Sequence, residues 1–247
     1  MPSAVPVQPI PVTTPTPSSG TSPGGASGGT RGTSGPDSLR GTAGANLIFG
    51  LGGPDSILGL GADDSLYGGD GDDSLLGDVG NDLLFGGAGR DSVLGGAGGD
   101  TFYGGKGSDS MLGDDGNDLL FGNQDTDTLL GGAGDDTLFG GAGDDSLFGG
   151  IGNDCLSGDR GLDTLTGGAG NDTFAIGRLA DGDVITDFTD GTDQIRLTAG
   201  LTFAELTISA GAGTSPSTII QLTNTKEILA TLFGVARTSI SQADFIL

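Results

Sequence analysis

The sequence predicts an all-β protein: a parallel β-roll, that is, a two-sheet β-solenoid, with a C-terminal β-rich cap. Three observations carry this. One nine-residue unit, G-G-x-G-x-D-x-U-x with U a large apolar residue, repeats sixteen times without insertion or deletion over residues 32–175. Its eighth position is apolar in every copy, from Leu39 and Ile48 to Leu165 and Phe174. After residue 175 the register stops, and Ile, Leu, Thr and Phe replace the glycine-rich pattern.

Within each unit the first six residues carry the glycines and the aspartate, so they should turn. The last three, such as Thr137, Leu138 and Phe139, should extend as a short strand. Two units then make one coil, giving eight coils and two facing sheets with position 8 inward and positions 7 and 9 outward. Position 1 is Gly in all sixteen copies, and position 4 is Gly in fourteen, Ala62 and Asp125 being the departures. Position 6 is the candidate ligand: Asp37, Asp55, Asp64, Asp73, Asp82, Asp91, Asp100, Asp109, Asp118, Asp127, Asp136, Asp145, Asp154, Asp163 and Asp172, with Asn46 in the remaining copy.

Composition narrows the function classes. With 53 glycines and 34% hydrophobic residues among 247, the chain does not read as an ordinary packed globule. The formal net charge is -24, and residues 32–175 hold 25 Asp against 4 Lys and Arg. Such a surface repels nucleic acid and anionic membrane and attracts multivalent cations. The single cysteine, Cys155, permits no intrachain disulfide, and the absence of His removes Ser-His and Cys-His catalysis and the usual zinc sites. No apolar run approaches the ~20 residues of a membrane span. The first residues lack the basic region and apolar core of a cleaved signal peptide. Residues 1–31, rich in Pro, Thr, Ser and Gly, read as a disordered tail.

Position-6 residues eighteen apart stack along one edge of such a coil: Asp73, Asp91, Asp109 and Asp127 on one side, Asp64, Asp82, Asp100 and Asp118 on the other. Neighbouring carboxylates repel, and one apolar side chain per nine residues is little compensation. A divalent cation between successive loops cancels the repulsion, and glycine-rich backbone leaves carbonyls free to complete an all-oxygen shell. Calcium fits such a shell better than magnesium, which demands a tight octahedron. Sixteen loops on two edges allow at most fourteen sandwiched ions, with the weakest sites at Asn46, at Ala62 and in the 123–125 stretch Asn-Gln-Asp.

The unit resembles the RTX, or haemolysin-type, calcium-binding nonapeptide repeat. The resemblance implies Ca2+ held by the position-6 aspartates together with loop carbonyls, shared between one loop and the next on the same edge. Residues 176–247 resemble the tails of secreted RTX proteins in DVITDF (183–188), DGTDQI (190–195) and the terminal ADFIL. That implies export through type I secretion machinery by an uncleaved C-terminal signal, and an extracellular or cell-surface location where millimolar calcium folds the roll.

In the cap, residues 183–188 and 194–197 read as strands about a DGTD turn. Residues 218–223 and 227–232 read as a hairpin about Asn224-Thr225-Lys226, and 201–206 and 241–245 as short helical turns. Asp187, Asp190 and Asp193 are further metal candidates, though turn residues of this type are more often structural. Alternate units place Phe49, Tyr67, Phe85, Tyr103, Phe121 and Phe139 at position 9 of one sheet, an outward stripe suited to self-association or to a surface partner. A Ser/Thr ladder, Ser38 to Thr164, runs along position 7 of the other.

The chain therefore reads as a non-enzymatic calcium-binding β-roll with a structural, surface or adhesive role. Two alternatives are a secretion and folding module, or paralogue, of an RTX enzyme or toxin that lacks the catalytic domain, and an ice-binding solenoid built on the hydroxyl ladder.

Overall fold

The computed structural model describes residues 29–178, 181–212 and 216–247; most of the tail read over 1–31 lies outside the described residues. Chain direction alternates between two sheets. Strands Leu47–Gly52, Ser65–Asp70, Leu83–Ala88 and their successors form one sheet of eleven strands, and Ser38–Arg40, Ser56–Gly61, Ser74–Val79 and theirs form one of twelve. All pairings in the repeat are parallel and in register by eighteen residues, for example Leu120 with Leu138 and Phe121 with Phe139. The result is a stack of about nine two-sheet coils with essentially no helix.

The core is one line of position-8 side chains between the sheets. Ile48, Leu66, Leu84, Phe102 and Leu120 are fully buried from one sheet, and Ile57, Leu75, Val93, Met111 and Leu129 from the other. Positions 7 and 9 are half-buried on the outer faces in nearly every coil.

Strands are six residues long rather than three, covering positions 7–9 and the first three of the next unit. Glycine's poor strand propensity hides this from sequence, but parallel hydrogen bonding to the coils on either side overrides propensity. The pattern's second glycine marks the corner within each strand, where φ is positive: +116° at Gly69 and +119° at Gly87. Leu51 and Leu60 adopt the same corner at +88° and +91°, a strained conformation for a bulky residue. The first strand, Thr30–Arg31, pairs with Leu47–Gly52 and so falls inside the stretch read as tail.

The cap continues both sheets. Gln194–Leu197 pairs in parallel with Thr173–Ile176 and then with Phe245–Ile246, while Asp183–Ile185 pairs with Thr164–Ala169 and then with Ile228–Phe233. Ser217–Leu222 and Ile228–Phe233 form the expected hairpin, and Phe203–Glu205 and Gln242–Asp244 the two helical turns. Leu206–Ala210 adds an antiparallel edge strand that the sequence did not suggest.

Candidate metal centre

Each position-6 aspartate sits at the end of a turn, immediately before its strand, and its backbone is fixed by the neighbouring coil. The N–H of Ser74 donates to the carbonyl of Asp55 at 2.8 Å, and that of Ser92 to Asp73 at 2.8 Å. The carboxylate then reaches back one coil. Oδ1 of Asp73 accepts the N–H of Asp55, Oδ1 of Asp91 that of Asp73, and Oδ1 of Asp109 that of Asp91, at 2.8, 2.8 and 2.9 Å. The same bond joins Asp64, Asp82, Asp100, Asp118, Asp136 and Asp154 along the opposite edge. Two ladders of carboxylates thus run the length of the roll, as the eighteen-residue spacing predicts, and all fifteen predicted aspartates are buried.

The other oxygen has no protein partner. Oδ2 of every ladder aspartate from Asp55 to Asp163 is buried and accepts no hydrogen bond. Among the described residues the sole ion pair is Arg178 with Glu205, so no basic side chain neutralises either ladder. A buried, unpaired carboxylate is costly. Burial pushes the acids up accordingly, Asp73, Asp91 and Asp136 to about 7 and Asp127 to about 8, against the lowering effect of the N–H bond from the preceding coil.

The space beside these oxygens is kept open by the first glycine of each unit. A methyl group on Gly104 would lie 2.5 Å from Oδ2 of Asp109 and 2.9 Å from the carbonyl oxygen of Gly122, one coil further along. Only glycine leaves room there. The carboxylate of one loop and the carbonyl of the next loop on the same edge therefore converge on one point. Among the described residues no three metal-ligating side chains cluster, so a complete shell requires those backbone carbonyls. An oxygen-only donor set with a buried carboxylate fits a hard divalent cation such as calcium. Bound there, such an ion would supply the missing positive charge, held by the carboxylate of one coil and the carbonyl of the next.

The irregular copies behave individually. Asn46 keeps the ladder bond, its N–H donating to Oδ1 of Asp64 at 2.6 Å, while its side-chain amide donates to the carbonyls of Thr42 and Gly44 and to Oδ1 of Asp64. An amide with its own donors thus occupies the cradle. Ala62 and Asp125 hold the glycine-type φ of position 4, +64° and +73°, at a cost in strain. Asp37, at the open end, differs from the other fourteen because its Oδ2 already accepts the N–H and hydroxyl of Thr33 at 2.6 and 2.9 Å.

Two features were missed from sequence. Position 5 forms an outer ladder in which Asn81 accepts from Gly99, Asn117 from Asp135, Asp135 from Asn153 and Asn153 from Asn171, at 2.8 to 3.0 Å. The Asp/Asn bias at that position was its signal. The inner ladders also run past the repeat: the backbone N–H of Asp172 donates to Oδ1 of Asp193, a residue the sequence had offered, at 3.0 Å, and that of Asp163 to Oδ1 of Asp183, which it had not, at 3.3 Å. Oδ2 of Asp183 is buried without a partner, and burial raises this acid to about 9. Of the cap aspartates suggested by sequence, Asp187 instead accepts the N–H groups of Gly167 and Gly168, and Asp190 is exposed.

Fold and ladders define a parallel β-roll whose turns are lined with buried oxygens suited to a hard cation. A family model for the RTX calcium-binding nonapeptide repeat matches residues 31–66, 50–84, 58–93, 85–120, 94–129, 121–154 and 156–181, over half of the chain. The chain belongs to that family and is a calcium-binding β-roll.

No curated protein matches the chain. Among solved structures, the AlgE6R3 subunit of the Azotobacter vinelandii mannuronan C5-epimerase is 28% identical with a TM-score of 0.40, over 53% of this chain and 80% of that one. The AlgE6R2 subunit of that enzyme is 26% identical with a TM-score of 0.34, over 55% and 91%. The extracellular lipase LipA from Serratia marcescens is 18% identical with a TM-score of 0.27, over 91% and 40%.

Proposed function

We propose that this chain is a secreted calcium-gated folding unit: little ordered where calcium is scarce, and closed into a rigid roll where calcium is millimolar. The observation that carries the reading is the row of buried Oδ2 atoms from Asp55 to Asp163, none of which has a protein partner. Folding without a cation strands these charges, while folding with one satisfies them, so metal binding and folding are a single equilibrium. Extracellular modules work at ~10⁻⁴–10⁻³ M affinities, which suits a switch between cell interior and exterior. Export by type I secretion machinery through the C-terminal segment, and a location outside the cell or at its surface, belong to the same reading.

The chain's own role is structural or adhesive rather than catalytic, with the Phe49 to Phe139 face as the surface offered to a second copy or to a partner. A role as the secretion and folding module of an RTX enzyme or toxin remains the second reading, supported by the family membership. Circular dichroism of the full chain, titrated with Ca2+ and separately with Mg2+ after EDTA treatment, tests the proposal. A cooperative gain of strand signal with Ca2+ alone is expected; a strand-rich spectrum in excess EDTA with no bound metal by mass spectrometry overturns it.

A further inference from the structure

The repeat ends at residue 175, yet its hydrogen bonding does not. Asp183 follows Asp163 by twenty residues rather than eighteen, and its glycines, Gly177 and Gly182, fall off the repeat's pattern, residue 178 being Arg where the repeat has Gly five residues before its aspartate. Even so, Val184 lies opposite Thr164 in the parallel pairing, and its N–H donates to the carbonyl of Asp163 at 2.8 Å. Thr164 makes the equivalent bond to Asp145 at 2.9 Å. Despite the two extra residues, Asp183 arrives in the position-6 register. Its Oδ1 takes the ladder bond from Asp163, and its Oδ2 is fully buried with no partner, as is Oδ2 of Asp163.

The opposite edge closes differently. Asp193 takes the ladder bond from Asp172, but its Oδ2 accepts the N–H of Thr189 at 2.7 Å. That mirrors Asp37 and Thr33 at the other end of the roll. Three ends of the ladders are therefore accounted for: Asp37 and Asp193 satisfied by hydrogen bonds, and Asn46 by its own amide. Only the end at Asp183 leaves a buried carboxylate with no donor among the described residues, its side-chain neighbour being the carboxyl group of Asp163.

We propose that Asp163 and Asp183 hold a calcium ion between the last loop of the repeat and the first loop of the cap, a site outside the nonapeptide pattern that staples the cap to the roll. This rests on the calcium reading of the repeat. Asp181 adds negative charge beside it, and Arg178, earlier in the same stretch of sequence, is engaged by Glu205. The strand Asp183–Ile185 carries Ile228–Phe233 and the hairpin beyond it, so the site controls docking of half the cap.

The test uses the full-length chain and two variants. Asp183→Asn keeps an oxygen for the Asp163 N–H and removes the carboxylate, while Asp193→Asn makes the same change on the satisfied edge. Native mass spectrometry at saturating Ca2+ should show one ion fewer for Asp183→Asn and the wild-type number for Asp193→Asn. Amide exchange in residues 183–185 and 228–233 should quicken about tenfold in Asp183→Asn alone, because local opening there no longer has to release an ion. In the wild type, those amides should gain protection with Ca2+ together with the repeat strands. An unchanged ion count in Asp183→Asn, or wild-type cap amides indifferent to Ca2+ while the repeat responds, overturns the proposal. A wild-type chain that binds no Ca2+ overturns the reading of the repeat beneath it, a distinct result.

Discussion

The backbone N–H of Asp109 donates to Oδ1 of Asp127 at 2.7 Å, and the second oxygen of that carboxylate, buried to the same depth, meets no donor. One oxygen thus builds the coil and the other is left without a counter-charge. Asp127→Asn separates the two roles, since the amide oxygen can still accept from Asp109 while the charge is gone. At saturating calcium the variant should lose about 2 kcal/mol of stability, the scale of one charge-assisted interaction. In chelator it should match or exceed the wild type. Thermal melts under the two conditions provide the comparison, and an equal loss in both would assign Asp127 a purely structural role.

Acidity should replace calcium in part. Burial holds Asp73, Asp91 and Asp136 at about 7 and Asp127 at about 8, well above the ~3.9 of an unfolded aspartate. Raised acids bind protons on folding, so their contribution to stability is complete below about pH 4 and is lost as pH rises through 6–8. Without metal, strand signal should therefore grow as pH falls from 8 towards 5. With calcium, protons compete for the same oxygens, and the midpoint concentration for folding should rise over that range. Circular dichroism at several pH values, with and without EDTA, checks both trends, and a metal-free chain that loses structure on acidification contradicts them.

Two glycines of the same motif should respond differently to a methyl group. Gly104→Ala places carbon against Oδ2 of Asp109 and the carbonyl of Gly122, filling the cradle, whereas Gly35→Ala meets nothing within 4 Å. The first should raise the calcium concentration needed for folding severalfold, and the second should leave it unchanged within error. Isothermal titration calorimetry of the pair decides whether the position-1 glycine serves the metal or only the backbone.

Much of this was legible because one periodicity fixes several structures at once. An eighteen-residue coil dictates that Leu120 is buried, that Phe121 faces out and that Asp118 stacks on Asp136. In the cap, ordinary signals sufficed for Gln194–Leu197 and for the hairpin at Ser217–Leu222. What escaped were features that depend on three-dimensional register. Asp183 reaches its rung although it lies twenty residues from Asp163, and sequence spacing alone points away from it. Strand Leu206–Ala210 is a half-buried edge with no buried face to impose alternation. The second half of each repeat strand is hidden by glycines that only neighbouring coils hold extended.

Asn46 offers a gain of function. Its amide spans the carbonyls of Thr42 and Gly44 and Oδ1 of Asp64, doing by hydrogen bonds what a cation would do at the other rungs. Asn46→Asp removes those donors and supplies a charge, so the variant should bind one additional Ca2+ and become less stable than the wild type in chelator. Native mass spectrometry and a melt in EDTA give the two readouts. An unaltered ion count would mean that the terminal coil cannot complete an oxygen shell.

The outward rings are the last feature whose role can be weighed. Phe49, Tyr67, Phe85, Tyr103, Phe121 and Phe139 stack one per strand, with centroids 4.7 to 5.1 Å apart and planes within 17° of parallel, and Arg31 lies over Phe49 at 4.9 Å. Each ring is half-buried against its neighbours, so the stripe stabilises the roll whether or not anything covers it. Replacing Phe85, Phe121 and Phe139 by Ser breaks four of the stacked pairs, and at ~0.5–1.5 kcal/mol each the calcium-loaded roll should lose about 2–6 kcal/mol. Sedimentation velocity on the same variant reports assembly independently. Association that disappears with the rings marks the stripe as a contact face; a lower melting temperature with unchanged sedimentation assigns the rings to the roll itself, and an unchanged melting temperature would contradict the stacking argument.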